Sequence, residues 1–188
     1  MELLLGSKSP RRQELLKGAG IDYTLINIDS DEDFHPDMAG EKVAEYLAIK
    51  KAEAYIGDLE NKILLTADTT VYLEGEIINK PENEDDAIKM LTKLSGKMHT
   101  VFTGVCLRSK TQEIAFTDQT NVYFKGLTRE QIVYYVRNFN PLDKAGSYGI
   151  QDWIGYIGVT KIEGDFFNVM GLPVNRVYDE LQKFVNNQ

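Results

Sequence analysis

The 188 residues, 43% apolar and 27% charged, suit one folded domain with a proper core and exclude a chain disordered throughout. A net charge of −8 argues against nonspecific binding to nucleic acid or an anionic membrane, which need a basic face, but leaves room for a small polyanion where a few cations converge. No apolar run nears the roughly 20 residues of a membrane helix, no basic region precedes the first apolar run, and Cys106 has no disulfide partner within the chain, which together predict an intracellular protein.

In chain order, Leu3 to Gly6 reads as a short buried strand and turn, and Ser7-Lys8-Ser9-Pro10-Arg11-Arg12 opens a helix. Pro10 suits the first helical turn, where its missing N–H costs nothing, and Ser9 is a natural N-cap. Free N–H groups, a positive helix end and two forked guanidiniums suit a phosphate. Taken alone, a solvated, capped surface helix would explain the same residues. The helix ends at Lys17-Gly18-Ala19-Gly20, and Ile21 to Ile28 alternates as a strand. Asp29 to Asp37 is an acidic loop, either simply solvated or a source of one or two hard oxygen ligands for Mg²⁺ or Mn²⁺. Glu41 to Ile56 is helical, with Val43, Tyr46, Leu47 and Ala54 near helical spacing and Lys50 and Lys51 along it. Ile63-Leu64-Leu65 is a buried strand that delivers Thr66-Ala67-Asp68-Thr69-Thr70. Asp68 then sits where open α/β sheets place their ligands, capping of the next turn being its bland role.

Val71 to Ile78 reads as a hairpin around Glu74-Gly75-Glu76, ending at Asn79-Lys80-Pro81. Asn83 caps a helix striped by Ala87, Met90, Leu91 and Leu94 and closed by Ser95-Gly96. Strands Met98 to Ser109 and Glu113 to Phe124 follow, joined by a short turn. Thr128-Arg129-Glu130-Gln131 is a capping box opening a helix to Asn138, with Ile132, Val136 and Phe139 inward. Asn140 to Gly158 is a glycine-bearing loop of the kind that often carries function, and Asp165 to Leu172 is a second turn region. Pro173 starts a terminal helix with Val177, Leu181 and Phe184. Strands alternating with helices, then long adjacent strands, predict a mixed α/β sheet in a single domain, 1–188. His35 and His99 lack zinc-ligand spacing, and Walker, dinucleotide and serine-hydrolase signatures are absent.

The loops together carry a resemblance. Ser7-Lys8-Ser9-Pro10-Arg11-Arg12, Leu47-Ala48-Ile49-Lys50-Lys51-Ala52, Ala67-Asp68-Thr69, Lys80-Pro81, Leu94-Ser95-Gly96, Asp143 to Gln151 and Gly164-Asp165 with Asn168 to Pro173 resemble the Maf nucleoside triphosphate pyrophosphatases, in family order from residue 3 to about 184. Each motif alone is weak, and the ordered set is specific. The resemblance implies an α/β fold like that of the inosine triphosphate pyrophosphatases, a central mixed sheet flanked by helices with a nucleotide cleft. It implies a cytoplasmic enzyme, often a homodimer, that splits a nucleoside triphosphate into monophosphate and pyrophosphate with a divalent cation, Mg²⁺ or Mn²⁺.

On the family pattern Asp68 is the proton acceptor, or else orients the water as a metal ligand. Glu32, ahead of Asp31, matches an acidic position near the metal. Arg12, Lys51 and Lys80 match positions that hold phosphate, beside the helix start at Ser9, while Arg11, Thr69 and Gln151 fall on positions linked to substrate choice. Ser-Pro-Arg-Arg, Ala-Asp-Thr and Tyr-Gly-Ile-Gln resemble the branch acting on dTTP and UTP. Gln151 offers an acceptor for the N3–H of uracil or thymine and a donor for a ring carbonyl. Two rival readings are a nucleotide-binding regulator, since the family is also linked to restraint of septum formation, and a pyrophosphatase for purine triphosphates such as ITP or methylated GTP. Retention of Asp68 with Lys80 favours turnover. All of this expects distant cations and carboxylates to gather around one triphosphate.

Overall fold

The computed structural model describes residues 1–186, so the last two residues of the expected 1–188 domain lie outside the described residues. The chain order is β1 (Glu2–Leu5), α1 (Pro10–Gly18), β2 (Thr24–Leu25), α2 (Gly40–Glu53), β3 (Lys62–Leu73), β4 (Glu76–Ile78), α3 (Glu84–Leu94), β5 (Met98–Arg108) and β6 (Glu113–Phe124). Then come α4 (Arg129–Phe139), two single 3₁₀ turns at Pro141–Asp143 and Ala145–Ser147, α5 (Trp153–Gly158), β7 (Val159–Glu163), α6 (Phe166–Met170) and α7 (Val174–Asn186). The strands form one mixed sheet in the order β2-β1-β3-β5-β6-β7, with β4 paired to β3 off that path. Among the described residues no helix is long and apolar enough to cross a membrane. The chain divides into two compact units, one of residues 1–69, 103–118 and 171 onward, the other of 70–102 and 119–170.

In the first unit β1 pairs in parallel with β2 and with β3, Leu3 facing Ile63 and Leu5 facing Leu65. β1 after Glu2 and β3 from Ile63 to Leu65 are apolar on both faces, as parallel strands covered by helices require. Leu4, Leu64 and Cys106 pack with Ala48 and Ala52 of α2. The small residues on that helix allow a close approach: a Cβ on Gly104 of β5 would stand 2.2 Å from the Ala44 carbonyl carbon and 2.3 Å from Glu45 N, so only glycine fits. The Thr66 hydroxyl then donates to Ala48 O at 2.7 Å, fixing α2 to β3. At the other end α7 is pinned by Arg176, which lies 4.2 Å over the Phe116 ring and donates to Asp118 at 2.6 Å.

In the second unit β3 turns back into antiparallel β4 through Glu74 and Gly75, both at positive φ, the backbone a two-residue hairpin demands. The Asn83 side chain caps α3 by accepting from Asp86 N at 2.9 Å, and the capping box of Thr128 and Gln131 opens α4. α3 packs on α4 and α4 on α5. β7 completes its sheet edge antiparallel to β6, with an irregularity at Tyr123/Phe124.

Several elements depart from the sequence reading. The alternating stretch Ile21 to Ile28 pairs only at Thr24–Leu25, an exposed two-residue strand at the end of the strand order. β3 is one strand of twelve residues, so Thr66 to Thr70 is not a loop after a short strand; its β-branched threonines are strand formers, and Asp68 lies mid-strand. α5 and α6 fall in stretches read as loop or turn, and β7 in the residues between those stretches, each too short to show a period. Phe139, expected inside, is exposed.

Candidate active site

The turn after β1 is built by Ser7 rather than by the expected cap. Ser9 holds the N-cap position of α1 with Pro10 behind it, yet its side chain makes no cap bond. Instead the Ser9 N–H donates to Ser7 Oγ at 3.3 Å, and the same oxygen accepts from Arg12 Nη1 at 3.0 Å. Ser7 was missed in the sequence; its spacing two residues before Ser9, which lets a serine hydroxyl reach a backbone N–H two residues on, is the available signal.

Arg12 is buried, and its guanidinium is committed to the fold. Nη1 also donates to Ala67 O (2.8 Å), Nε to Gly171 O (2.8 Å) and Nη2 to Thr69 Oγ1 (3.1 Å). A guanidinium has five N–H groups, so at most one remains for a ligand. Gly171 can aim its carbonyl this way because it sits at φ 120°, where a side chain would be strained. Burial pushes the Arg12 pKa down from its ordinary value, and the charge of Asp68 opposes that shift. Arg12 therefore straddles Asp68 through its two neighbours, Ala67 and Thr69, and the two charged groups share one locality. Thr69 Oγ1 lies 3.0 Å from Thr103 Oγ1, a further hydroxyl that the sequence reading did not single out.

Two consecutive lysines on α2 draw the acidic loop inward. Lys50 pairs with Asp31 and donates to Asp33 O at 3.0 Å. Lys51 reaches Asp68 Oδ1 at 2.5 Å and Glu32 Oε1 at 3.1 Å. Successive helix residues point about 100° apart, so each lysine takes a different carboxylate of the loop. Lys50 holds the Asp31 carboxyl below its ordinary pKa. Of that loop, Glu32 is the residue that shares an ammonium with Asp68. The result is two carboxylates converging on one cation beside a buried guanidinium. Such a cluster suits the charge neutralisation and water activation that phosphoryl chemistry asks of a protein. Arg11 is half-buried, one residue along α1.

Lys80 and Gln151 lie in the second unit. Lys80 is exposed just after β4, and its neighbour Asn79 accepts at O from the Gly146 N–H at 3.1 Å, tying this segment to the glycine-bearing loop. Gly146 takes φ 68° and lies flat against Val71, where a Cβ would meet a methyl carbon at 3.0 Å. Gln151 follows in that loop with Oε1 buried and without a hydrogen-bond partner among the described residues. Tyr135 donates to Asp152 Oδ2 at 2.7 Å and accepts from the Gly149 N–H at 3.0 Å.

Comparison with known proteins agrees with the sequence motifs. The family model described as Maf-like protein matches residues 2–184. A dTTP/UTP pyrophosphatase of Phocaeicola vulgatus is 50% identical over 184 residues, covering 97% of this chain and 95% of the relative. One from Bacteroides thetaiotaomicron is 47% identical with the same coverage, and one from Christiangramia forsetii is 44% identical over 99% of this chain and 95% of its own.

Proposed function

The chain belongs to the Maf-like family, and from that premise we propose that it hydrolyses nucleoside triphosphates, dTTP and UTP foremost, to the monophosphate and pyrophosphate. The observation that carries the catalytic reading is the meeting of Glu32 and Asp68 on one ammonium beside the buried Arg12. Water attacks the α-phosphorus, the bond to the α,β-bridging oxygen breaks, pyrophosphate leaves, and Asp68 takes the water's proton. Lys51, Lys80 and the remaining N–H of Arg12 neutralise the leaving pyrophosphate, and the backbone N–H groups at Ser9 add to that at the start of α1. Arg11, Thr69 and Gln151 select the base and sugar, a role supported by their positions in the family motifs.

Mg²⁺ or Mn²⁺ is the proposed cofactor, and the donor set fits a hard cation. Glu32 and Asp68 already turn carboxylate oxygens toward one positive charge. No group of three or more His, Cys, Asp or Glu side chains stands together among the described residues, so phosphate oxygens and water would fill the other positions. When bound, such an ion supplies charge neutralisation and a water of lowered pKa. The chain is further read as a single-domain cytoplasmic enzyme acting on free nucleotide, without nucleic acid or membrane partner, and as a homodimer.

The test is a substrate panel: dTTP, UTP, ITP and 7-methyl-GTP, each with Mg²⁺ and with Mn²⁺, scored by pyrophosphate release. Release from dTTP and UTP above the purine nucleotides supports the reading. Preference for ITP or 7-methyl-GTP moves the chain to the purine branch, and binding without release makes it a nucleotide-binding regulator.

A further inference from the structure

If Gln151 reads the base, as proposed above, its amide must keep one orientation, since a flip exchanges acceptor for donor at almost no change in shape. The loop around it contains a device for that. Asp152 N–H donates to Gly149 O at 3.0 Å, closing a tight turn. A Cβ on Gly149 would stand 2.6 Å from Asp152 Oδ2 and 2.9 Å from Gln151 Nε2, so the carboxylate and the amide nitrogen crowd the same side of that glycine. Tyr135, wholly buried, donates to Asp152 Oδ2 at 2.7 Å and accepts from Gly149 N at 3.0 Å, which fixes the carboxylate against the turn. An ionised carboxylate only accepts hydrogen bonds, so it attracts the NH₂ end of the amide and repels its carbonyl. Gln151 Oε1 is accordingly left buried and without a partner among the described residues, a costly state unless a ligand supplies the donor.

We infer that Tyr135 and Asp152 are positioning residues that lock the Gln151 amide with its carbonyl presented to the base. The lock selects uracil and thymine, which offer an N3–H, over cytosine, whose N3 is an acceptor. Loss of the lock frees the amide to turn and to donate to cytosine.

The experiment measures kcat/KM for UTP and CTP in the wild type and in Gln151→Ala, Asp152→Asn and Tyr135→Phe, with thermal melts alongside. Asp152→Asn is expected to lower the UTP-to-CTP ratio by at least about tenfold, with CTP turnover maintained or raised, and Tyr135→Phe to move it the same way. If both nucleotides decline equally in Asp152→Asn while Gln151→Ala collapses the ratio, the lock is refuted and base reading by Gln151 stands. An unchanged ratio in Gln151→Ala removes the base reading and the lock together. Should Tyr135→Phe fail to fold, Asp152→Asn, at a half-buried position, decides alone.

Discussion

Arg12 and Lys51 are both proposed to hold phosphate, yet their surroundings prepare them differently. Arg12 gives four hydrogen bonds to neutral acceptors on three segments, so it braces the site before any ligand arrives. Lys51 is a point charge on a flexible stem, shared by two carboxylates, and can follow an incoming anion. Arg12→Lys cannot serve the same acceptors from one nitrogen, and buried carbonyls would lose donors; urea unfolding should show a loss of about 2 kcal/mol or more. Asp68→Asn removes the proposed proton acceptor and is expected to cut kcat at least about 100-fold while nucleotide still binds; near-normal turnover would contradict the proposal. His99 makes a separate, testable contribution. Burial lowers its pKa from 6.5 to about 4, with Nε2 2.6 Å from Tyr148 Oη and the ring against Phe124. Between those two values the unfolded chain binds a proton that the native state refuses, so stability rises with pH there and is lost as pH falls. Unfolding free energies from urea titrations at pH 7 and pH 5 should differ by about 2 kcal/mol more in the wild type than in His99→Gln.

At the scale of elements, the contact between β5 and α2 decides where Lys50 and Lys51 stand. Gly104 leaves no room between the strand and the backbone of Ala44 and Glu45. Gly104→Ala must push backbone against backbone, which no side-chain rotation relieves. It is expected to cost about 2 kcal/mol or more and to lower kcat through displaced lysines, both measurable on the purified variant. The same logic explains why β3 was misread as a short strand and a loop. Thr66, Thr69 and Thr70 look like turn residues in a local window, but each has a β-branched side chain, and the hydroxyls of Thr66 and Thr69 are satisfied within the first unit. A mid-strand Asp68 breaks the local rule that charged residues avoid buried strands, and such breaks concentrate at functional sites.

For the whole molecule the informative fact is connectivity. β3, β5 and β6 each begin in one compact unit and end in the other, so neither unit is a continuous piece of chain. Continuous strands couple the order of their two halves, and the chain is therefore expected to unfold in one transition. Trp153, the single tryptophan, reports from the second unit. Its fluorescence midpoint in urea should coincide with that of the far-ultraviolet circular dichroism; two separated midpoints would show independently stable units and count against the single-domain reading.

The sequence by itself determined the class of fold, most helices with their caps, the paired strands β5 and β6 and, through the order of its motifs, the family. Those features depend on residue periodicity, on capping side chains within four positions and on short loop signatures, all of which are local. It also supplied Asp68, Lys51 and Glu32 as candidates, because their chemistry can be read from residue type and motif. Only the tertiary structure decided that Arg12 is a brace with little left for a ligand, that Ser7 and not Ser9 supplies the hydroxyl at the first turn, and that Glu32 rather than Asp31 shares Lys51 with Asp68. It alone gave Tyr135 and Asp152 a part. The partners in each case stand far apart in the chain, as Arg12 and Gly171 do, and the preference of one acceptor over another is set by burial and distance, which no window of sequence contains.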